Sequence, residues 1–345
     1  MRKGWWLPVV MGCGLVCCTR SDELEEADLV APPARNPNAH PPPNGSSGPH
    51  DFFAVRSFDL GQGAANGWAG IGYDRDGLDT HDDLRGHCRP ANGSDAGEML
   101  EDGPGGVDNS FAKNVVPMLA EFSLGDERQA PEIESSLNAS VDEGIAGLIF
   151  SHVASGHNAT AVDAFGYDAL RTKAGAWAVT DESLLDPAAP TSSASLASGK
   201  LHFVDSYVTD GVWVSGDVLS STQLLAFRMR LGSIWLTVPV RRPVVTFDAE
   251  AVDPENGVST NGVVSGEISV DELVLALQTQ CGEDDLTAIV DALRGAADLL
   301  AGRAQSPDST CDAISFGLRF DAIPIDTVTE IAAVDAAPSS GTCVH

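Results

Sequence analysis

Hydrophobic and polar residues alternate with a period of two along residues 201–268. Two consecutive apolar sets show the pattern: Leu225, Phe227, Met229 and Leu231, and then Ile234, Leu236, Val238 and Val240. Such alternation buries one face of each strand and leaves the other in solvent, which is typical of an antiparallel sheet. Between two apolar runs, Asp210-Gly211 predicts a tight hairpin, because both central residues of such a turn need a positive φ.

Helical spacing of apolar residues appears on both sides of this β-rich stretch. It predicts helices over residues 110–122 and 133–141, and a later pair over residues 269–281 and from about 285 to 301. Strand alternation returns at residues 313–320. We therefore expect one mainly β domain over residues 51–331, an antiparallel β-sandwich of jelly-roll or lectin-like type with a C-terminal helical hairpin packed on it.

The N-terminal residues 1–18 predict a lipoprotein-type export signal. Arg2-Lys3 is positively charged, and the apolar run over residues 5–16 is too short to span a bilayer. We expect Cys18 to be lipidated, because it leaves an apolar run of ordinary length. Cys13 follows a better-matching small-residue box, and a secretory signal cleaved nearby or a short uncleaved anchor are the alternatives.

Low-complexity sequence follows the signal and predicts a disordered tether. Residues 19–50 are first acidic and then rich in Pro, Asn, Gly and Ser, a composition that buries too little apolar surface to order itself. Residues 332–345 read as a loose tail. Because an exported chain favours disulfides, the remaining even set of cysteines is predicted to pair: Cys88, Cys281, Cys311 and Cys343. Cys281 and Cys311 bracket a predicted helix and are the favoured pair, which leaves Cys88 for Cys343, although sequence cannot prove connectivity.

The net charge narrows the classes of partner. The chain carries 20 Lys and Arg against 50 Asp and Glu, for a formal charge of −30. That balance argues against nucleic acid and anionic membrane surfaces, which bind basic proteins. It is compatible with cation binding, or with nothing more than a solvated acidic surface.

Carboxylates concentrate in the loop at residues 74–83. Counted from Asp74 they stand at positions one, three, six and nine of a glycine-containing segment, which resembles calcium loops built from hard oxygen ligands. Gly77 at the fourth position and the lack of Glu at the twelfth depart from the EF-hand, so we expect a looser calcium site, against the alternative of an acidic surface turn. The candidate ligands are Asp74, Asp76, Asp79, Asp82, Asp83, Asp108 and Asn109. Asp108, Asn109 or Ser110 could instead cap the following helix.

Other residue types give weaker signals. His81, His87 and Cys88 lie close in sequence, as do His152 and His157, but neither group has a recognised zinc spacing, so we expect surface histidines beside a disulfide cysteine. No serine-hydrolase elbow, zinc-protease or phosphate-loop motif occurs. Trp213 and Trp235 could stack on a sugar, although tryptophans on strands more often pack in a core.

Four short motifs resemble an uncharacterised family of exported bacterial lipoproteins. They are Gly72-Tyr73-Asp74-Arg75-Asp76-Gly77, Gly106-Val107-Asp108-Asn109-Ser110-Phe111, Trp213-Val214-Ser215-Gly216 and Thr310-Cys311-Asp312-Ala313-Ile314-Ser315. The resemblance covers about residues 52–320. No activity is established for that family, so the resemblance implies export and fold more than function.

Together these patterns predict a lipid-anchored, non-catalytic envelope protein. We expect a monomer at the outer membrane or in the periplasm of a Gram-negative bacterium, binding a glycan or protein ligand, with acidic loops stabilised by calcium. One alternative is a secreted carbohydrate-active hydrolase on a β-sandwich, and another is a purely structural envelope component.

Overall fold

The computed structural model of the protein describes most of the chain. The described ranges are residues 30–42, 48–81, 84–91, 95–122, 133–153, 156–172, 175–180, 200–216, 223–231, 234–249, 260–281, 286–302, 304–326, 328 and 331–332. The predicted signal segment with Cys18 and the end of the tail with Cys343 lie outside them. Within these ranges, no helix combines the length and apolar character that crossing a membrane would require.

Strands dominate the described part of the chain, as the alternation predicts. They are β1 His50–Asp59, β2 Leu148–Val153, β3 Ala164–Arg171, β4 Trp177–Thr180, β5 Lys200–Phe203, β6 Tyr207–Thr209, β7 Val212–Val214, β8 Leu224–Leu231, β9 Ile234–Asp248, β10 Thr260–Ser269, β11 Ala313–Ile325 and β12 Ile331–Ala332. The hairpin between β6 and β7 turns at Asp210 (φ 49°) and Gly211 (φ 82°), which confirms the turn predicted from that dipeptide.

Helices fill the remaining ordered segments. Their bounds are 3₁₀ turns at Gly67–Gly70 and Leu84–Gly86, α1 Ala96–Met99, a π-helical turn at Phe111–Val115 that runs into α2 Val116–Phe122, α3 Ile133–Asp142, α4 Val270–Cys281 and α5 Thr287–Gly295. α3 packs against β1 and β8, and α4 packs against β9. Leu137 of α3 and Leu273 of α4 are fully buried in the same core as the inner face of the sheet.

The strands join into one large mixed sheet. Its order is β12-β4-β3-β2-β1-β11-β10-β9-β7-β6, with β5 added on β3 and β8 on β9. All pairings between these strands are antiparallel except that of β12 with β4, which is parallel. The two separate sheets of a jelly-roll sandwich are therefore not confirmed. Helices stand where the late pair was predicted, but their packing as a hairpin on the sheet is likewise not confirmed.

The sheet curls until strands far apart in its order face each other. Phe150 on β2 lies with its ring 6.3 Å from Trp213 on β7 and 6.2 Å from Phe247 on β9, measured between ring centroids. Val208 of β6 exchanges two backbone hydrogen bonds of 2.9 Å with Ala159, in the connection that leads to β3. One sheet thus supplies both sides of its own core.

Part of the predicted tether is ordered and packs on the outer face of this sheet. The Tyr207 hydroxyl donates to the Pro33 carbonyl at 2.7 Å, and the Arg35 guanidinium lies 4.6 Å from the centre of the Tyr207 ring. At its start, Val30 donates its N–H to Gly105 and accepts from the Asp74 N–H, both at 2.8 Å. Residues 30–42, called the strap below, therefore belong to the folded domain, which corrects the expectation of disorder for this part of residues 19–50.

The cysteine pairing also differs from the prediction. The structure joins Cys88 to Cys311, with their Cα atoms 5.2 Å apart and a sequence separation of 223. Both predicted pairs, Cys281 with Cys311 and Cys88 with Cys343, are therefore wrong. The bond ties the loop that follows Leu84–Gly86 to the start of β11, beside the acidic loops. The prediction was wrong because it relied on local spacing, whereas a disulfide needs only closeness in space.

Candidate metal centre

The loop that carries Asp74 and Asp76 is shaped by its own carboxylates. Asp74 Oδ1 accepts from the N–H groups of Asp76 at 3.2 Å and Gly77 at 2.8 Å, and Asp76 Oδ1 accepts from Leu78 N–H at 2.9 Å. These are the local turns that aspartate favours. Gly77 has φ 79°, a left-handed conformation that suits glycine. The turns leave the second oxygen of each carboxylate available to other partners.

Side chains from this loop fasten it to the sheet. The Tyr73 hydroxyl is 2.6 Å from Thr246 Oγ1 on β9, and Arg75 Nη2 donates to the Arg242 carbonyl at 2.8 Å. The Arg75 side chain is buried, and this burial lowers its pKa to about 10. Tyr73 and Arg75 thus attach the loop to the sheet, and its aspartates remain available for other contacts.

A second loop brings Asp108 against the first. Asp108 Oδ2 accepts from Arg75 N–H at 2.6 Å, and Asp108 N–H donates to the Tyr73 carbonyl at 3.3 Å. The next residue, Asn109, accepts from Gly317 N–H of β11 at 3.0 Å and donates to the Ile71 carbonyl at 2.9 Å. Its oxygen also accepts from Ala112 N–H at 3.2 Å, so Asn109 performs the helix-capping role that was the alternative to metal binding.

Three carboxylates converge where these loops meet. Asp74, Asp76 and Asp108 each offer an oxygen, and these three atoms lie within 4.8 Å of one another. Asp108 is 2% exposed, and the Asp76 side chain is 1% exposed. Asp76 Oδ2 is buried and accepts no hydrogen bond from the residues that the structure describes. A buried carboxylate oxygen of this kind is costly unless a cation or a proton satisfies it.

Further acids surround this triad and raise one another's pKa. Burial raises the pKa of Asp298 to about 7, with Asp102 and Asp76 adding to the effect against hydrogen bonds from Ser315. Burial raises the pKa of Asp102 to about 6, and the pKa of Asp108 lies well above its usual range for the same reason and because of its acidic neighbours. The cluster therefore resists full ionisation, as closely spaced buried carboxylates do.

His87 is the basic member of the cluster. Its Nδ1 lies 3.3 Å from Asp76 Oδ2, an ion-pair contact, and its side chain is 2% exposed. Burial alone lowers the pKa of His87, but Asp76, Asp102 and Asp298 outweigh it, so the pKa lies above its usual value. The expected surface position of His87 is wrong, and so is that of His152, which is buried against Phe53.

The structure brings together only part of the predicted ligand set. Asp79 accepts from His81, through the backbone N–H and ring Nδ1, both at 2.9 Å, and is not in the triad. Asp82 and Asp83 lie outside the described residues. Sequence reasoning did not find Asp102, Asp298 and His87. Only the fold brings them together, since Asp298 lies far along the chain from residues 74–76.

A simple test of this electrostatic arrangement is the pH dependence of stability in a metal chelator. Because the pKa of Asp298 in the folded state, about 7, exceeds the unfolded value, the folded state holds more protons between about pH 4 and 7. Stability should therefore fall as the pH rises through that window. Asp298→Asn should make the free energy of unfolding less dependent on pH. Between pH 4 and pH 8, the variant should gain on the order of 1–2 kcal/mol of stability relative to wild type. Urea unfolding at several pH values measures this.

The control for that measurement is Asp291→Asn, on α5, where the carboxylate is 68% exposed. It should leave the pH profile unchanged. If the stability of Asp298→Asn depends on pH as strongly as that of the wild-type protein, Asp298 does not hold its proton in the folded state.

Comparison with protein-family models, with curated proteins and with solved structures finds no match to this chain. Nothing outside the molecule therefore bears on the lipoprotein resemblance, and function has to be argued from the site itself.

Proposed function

We propose that the protein is a non-catalytic, lipid-anchored envelope protein whose acidic loops bind Ca²⁺ through Asp74, Asp76 and Asp108. The observation that carries the calcium proposal is the convergence of three carboxylates at Asp76, whose Oδ2 is buried, accepts no hydrogen bond from the described residues and lies 3.3 Å from the His87 ring. The oxygen-rich composition of the site supports a hard cation, for which carboxylate and carbonyl oxygens are the preferred ligands.

The spacing of the triad supports the same ion. Ca²⁺ binds oxygens at about 2.3–2.6 Å, so oxygens on one ion are separated by no more than about 5 Å. The three carboxylate oxygens lie within 4.8 Å of one another, inside that limit. A bound dication would also offset the mutual repulsion that raises the pKa values of Asp102, Asp108 and Asp298. Water and backbone carbonyls would complete the coordination.

Burial favours this role over the alternative of a carbohydrate-active hydrolase. Acid–base catalysis on a sugar needs carboxyl groups that substrate can reach. Asp108 and Asp298 have raised pKa values but are only 2% and 6% exposed. Trp213, one of the two candidate sugar-stacking residues, is fully buried in the core. The Trp235 side chain lies outside the part of the chain that the structure describes.

Export and anchoring complete the proposal. The Cys88–Cys311 bond supports a location in an oxidising compartment, where disulfides persist. The predicted signal and Cys18 supply the anchor in this proposal. In this proposal the calcium-stabilised surface binds a glycan or protein ligand. In the alternative, a purely structural envelope component, the same calcium would contribute to stability alone.

Calcium removal is the experiment that tests the site. Because a cation that binds only the folded state stabilises it, Ca²⁺ at about a hundred times its Kd should add about 2.7 kcal/mol to the free energy of unfolding. Differential scanning calorimetry with Ca²⁺ and with chelator measures the shift in melting temperature. Asp76→Asn should abolish the shift while preserving the volume of the side chain.

Asp79→Asn is the matched control, since Asp79 lies in the same loop but outside the triad. It should keep the full response to Ca²⁺. A wild-type protein that melts at the same temperature with and without chelator would refute calcium binding, and an equal loss in Asp79→Asn would move the site along the loop.

A further inference from the structure

Two histidines and one aspartate meet on the outer face of the sheet, away from the acidic triad. His50 begins β1, His202 lies on β5, and Asp163 directly precedes β3. The strand pairings explain the meeting, because β1 pairs with β2, β2 pairs with β3, and β5 pairs with the other edge of β3. Residues far apart in sequence are thereby placed on neighbouring strands.

Both imidazole rings present the same nitrogen to one carboxylate. His202 Nε2 lies 2.9 Å from Asp163 Oδ1, and His50 Nε2 lies 3.7 Å from Asp163 Oδ2. The three side chains are 50%, 21% and 19% exposed for His202, His50 and Asp163, so solvent and ions can reach them. A partly exposed carboxylate with two imidazoles turned towards it offers two nitrogen donors and one oxygen donor.

Neighbouring groups hold the two rings in this orientation. His50 Nδ1 lies 3.4 Å from Ser151 Oγ, which leaves Nε2 as the ring nitrogen that faces Asp163. The ring of Phe165 stacks on His202 with centroids 4.8 Å apart and lies 5.6 Å from the ring of His50. A polar partner on the far nitrogen, as His50 has, is common for metal-binding histidines in proteins.

We propose that His50, Asp163 and His202 form a Zn²⁺ site on the surface of the sheet. Imidazole nitrogen and carboxylate oxygen suit Zn²⁺, which binds them at about 2.0–2.2 Å in tetrahedral geometry. Adjacent ligand atoms are then about 3.3 Å apart by that geometry, close to the 2.9 and 3.7 Å seen here. Water fills the fourth position from the solvent side.

Binding requires one adjustment. The three donor atoms do not all lie within 4.8 Å of one another, because the rings face different oxygens of the carboxylate. Binding therefore requires the half-exposed His202 ring to leave its stacked position on Phe165 so that both nitrogens reach one ion. The site is independent of the proposed calcium site, since it uses other residues and since Ca²⁺ prefers oxygen ligands. The competing explanation is a hydrogen-bond network in which Asp163 accepts N–H groups from both rings.

Titration with Co²⁺ distinguishes the two explanations, since tetrahedral Co²⁺ with nitrogen ligands absorbs visible light and Zn²⁺ displaces it from the same site. The full chain in detergent, with its disulfide intact, should bind one equivalent of Co²⁺ with visible absorption that Zn²⁺ removes. His202→Ala and Asp163→Ala should each weaken binding more than about a hundredfold, beyond the usual effect of losing a group that only supports a ligand.

Two controls separate this outcome from failure elsewhere. His157→Ala removes an exposed histidine that lies 3.7 Å from Asp210, and should leave the Co²⁺ titration unchanged. Asp76→Asn, which disables the proposed calcium site, should also leave it unchanged, so either site can fail without the other. Absent absorption in the wild type, or wild-type binding in His202→Ala, would overturn the zinc site and leave the hydrogen-bond network only. Circular dichroism of each variant confirms folding.

Discussion

Replacing Cys88 and Cys311 together by alanine is expected to lower the free energy of unfolding by about 5 kcal/mol. The disulfide spans 223 residues, and in the chain-entropy model a loop of more than a hundred residues contributes close to 5 kcal/mol through the unfolded state. A loss of this size is a large part of the total free energy of unfolding of a typical domain. Guanidinium unfolding of the wild-type and double-variant proteins, monitored by tryptophan fluorescence, gives the difference.

Cys281→Ala is the control that separates this pairing from the one predicted by sequence spacing. It leaves the Cys88–Cys311 bond in place, so it should not reproduce the loss. Equal destabilisation by Cys281→Ala and by the double variant would contradict the observed pairing.

Phe150→Ala is expected to lower the free energy of unfolding by about 3–5 kcal/mol, the usual range for removing a buried aromatic ring. Phe150 is 1% exposed, and its ring lies within 6.4 Å of those of Phe203, Trp213, Phe247 and Phe320, measured between centroids. The substitution leaves a cavity where strands from distant parts of the curled sheet meet. Urea unfolding measures the loss, and Leu275→Ala, at a position 63% exposed, should change stability by less than about 0.5 kcal/mol.

A double-mutant cycle of Phe150 with Phe247 tests the curl itself. The two rings come from β2 and β9, which are separated by three strands in the sheet. Aromatic pairs in contact couple by about 0.5–1.5 kcal/mol. A coupling energy of zero would show that the two strands do not face each other across one core.

The alternation of apolar residues predicted which side of β9 faces the main core, but it could not predict what lies opposite. Phe247 and Val240 point inward as the pattern indicated. A strand that packs against a second sheet and a strand that packs against the far side of its own sheet show the same alternation. The alternation specifies only which face of the strand is apolar. The choice between a sandwich and a curled sheet depends on long-range pairings that the alternation does not record.

The candidate metal centre was predictable to the extent that it is local. Asp74 and Asp76 stand two residues apart in one turn, so their spacing alone suggested that they share a partner. Asp108 was found through its glycine-rich surroundings. Asp102, Asp298 and His87 join them from separate segments, and no pattern in the sequence marks a carboxylate whose neighbours arrive through the fold. Asn109 was a candidate both for metal binding and for helix capping, and its hydrogen bonds hold the loop and the helix start.

The docked strap sets the distance between the domain and a bilayer. Under the proposed anchoring at Cys18, only residues 19–29 lie between the lipid and Val30, and 11 residues reach at most about 40 Å when fully extended. A free tether through residue 50 would have reached more than about 100 Å. Val30 bonds to both acidic loops, at Asp74 and Gly105. Under this anchoring, the short segment would hold the acidic cluster near the membrane, within reach of cations gathered at anionic headgroups.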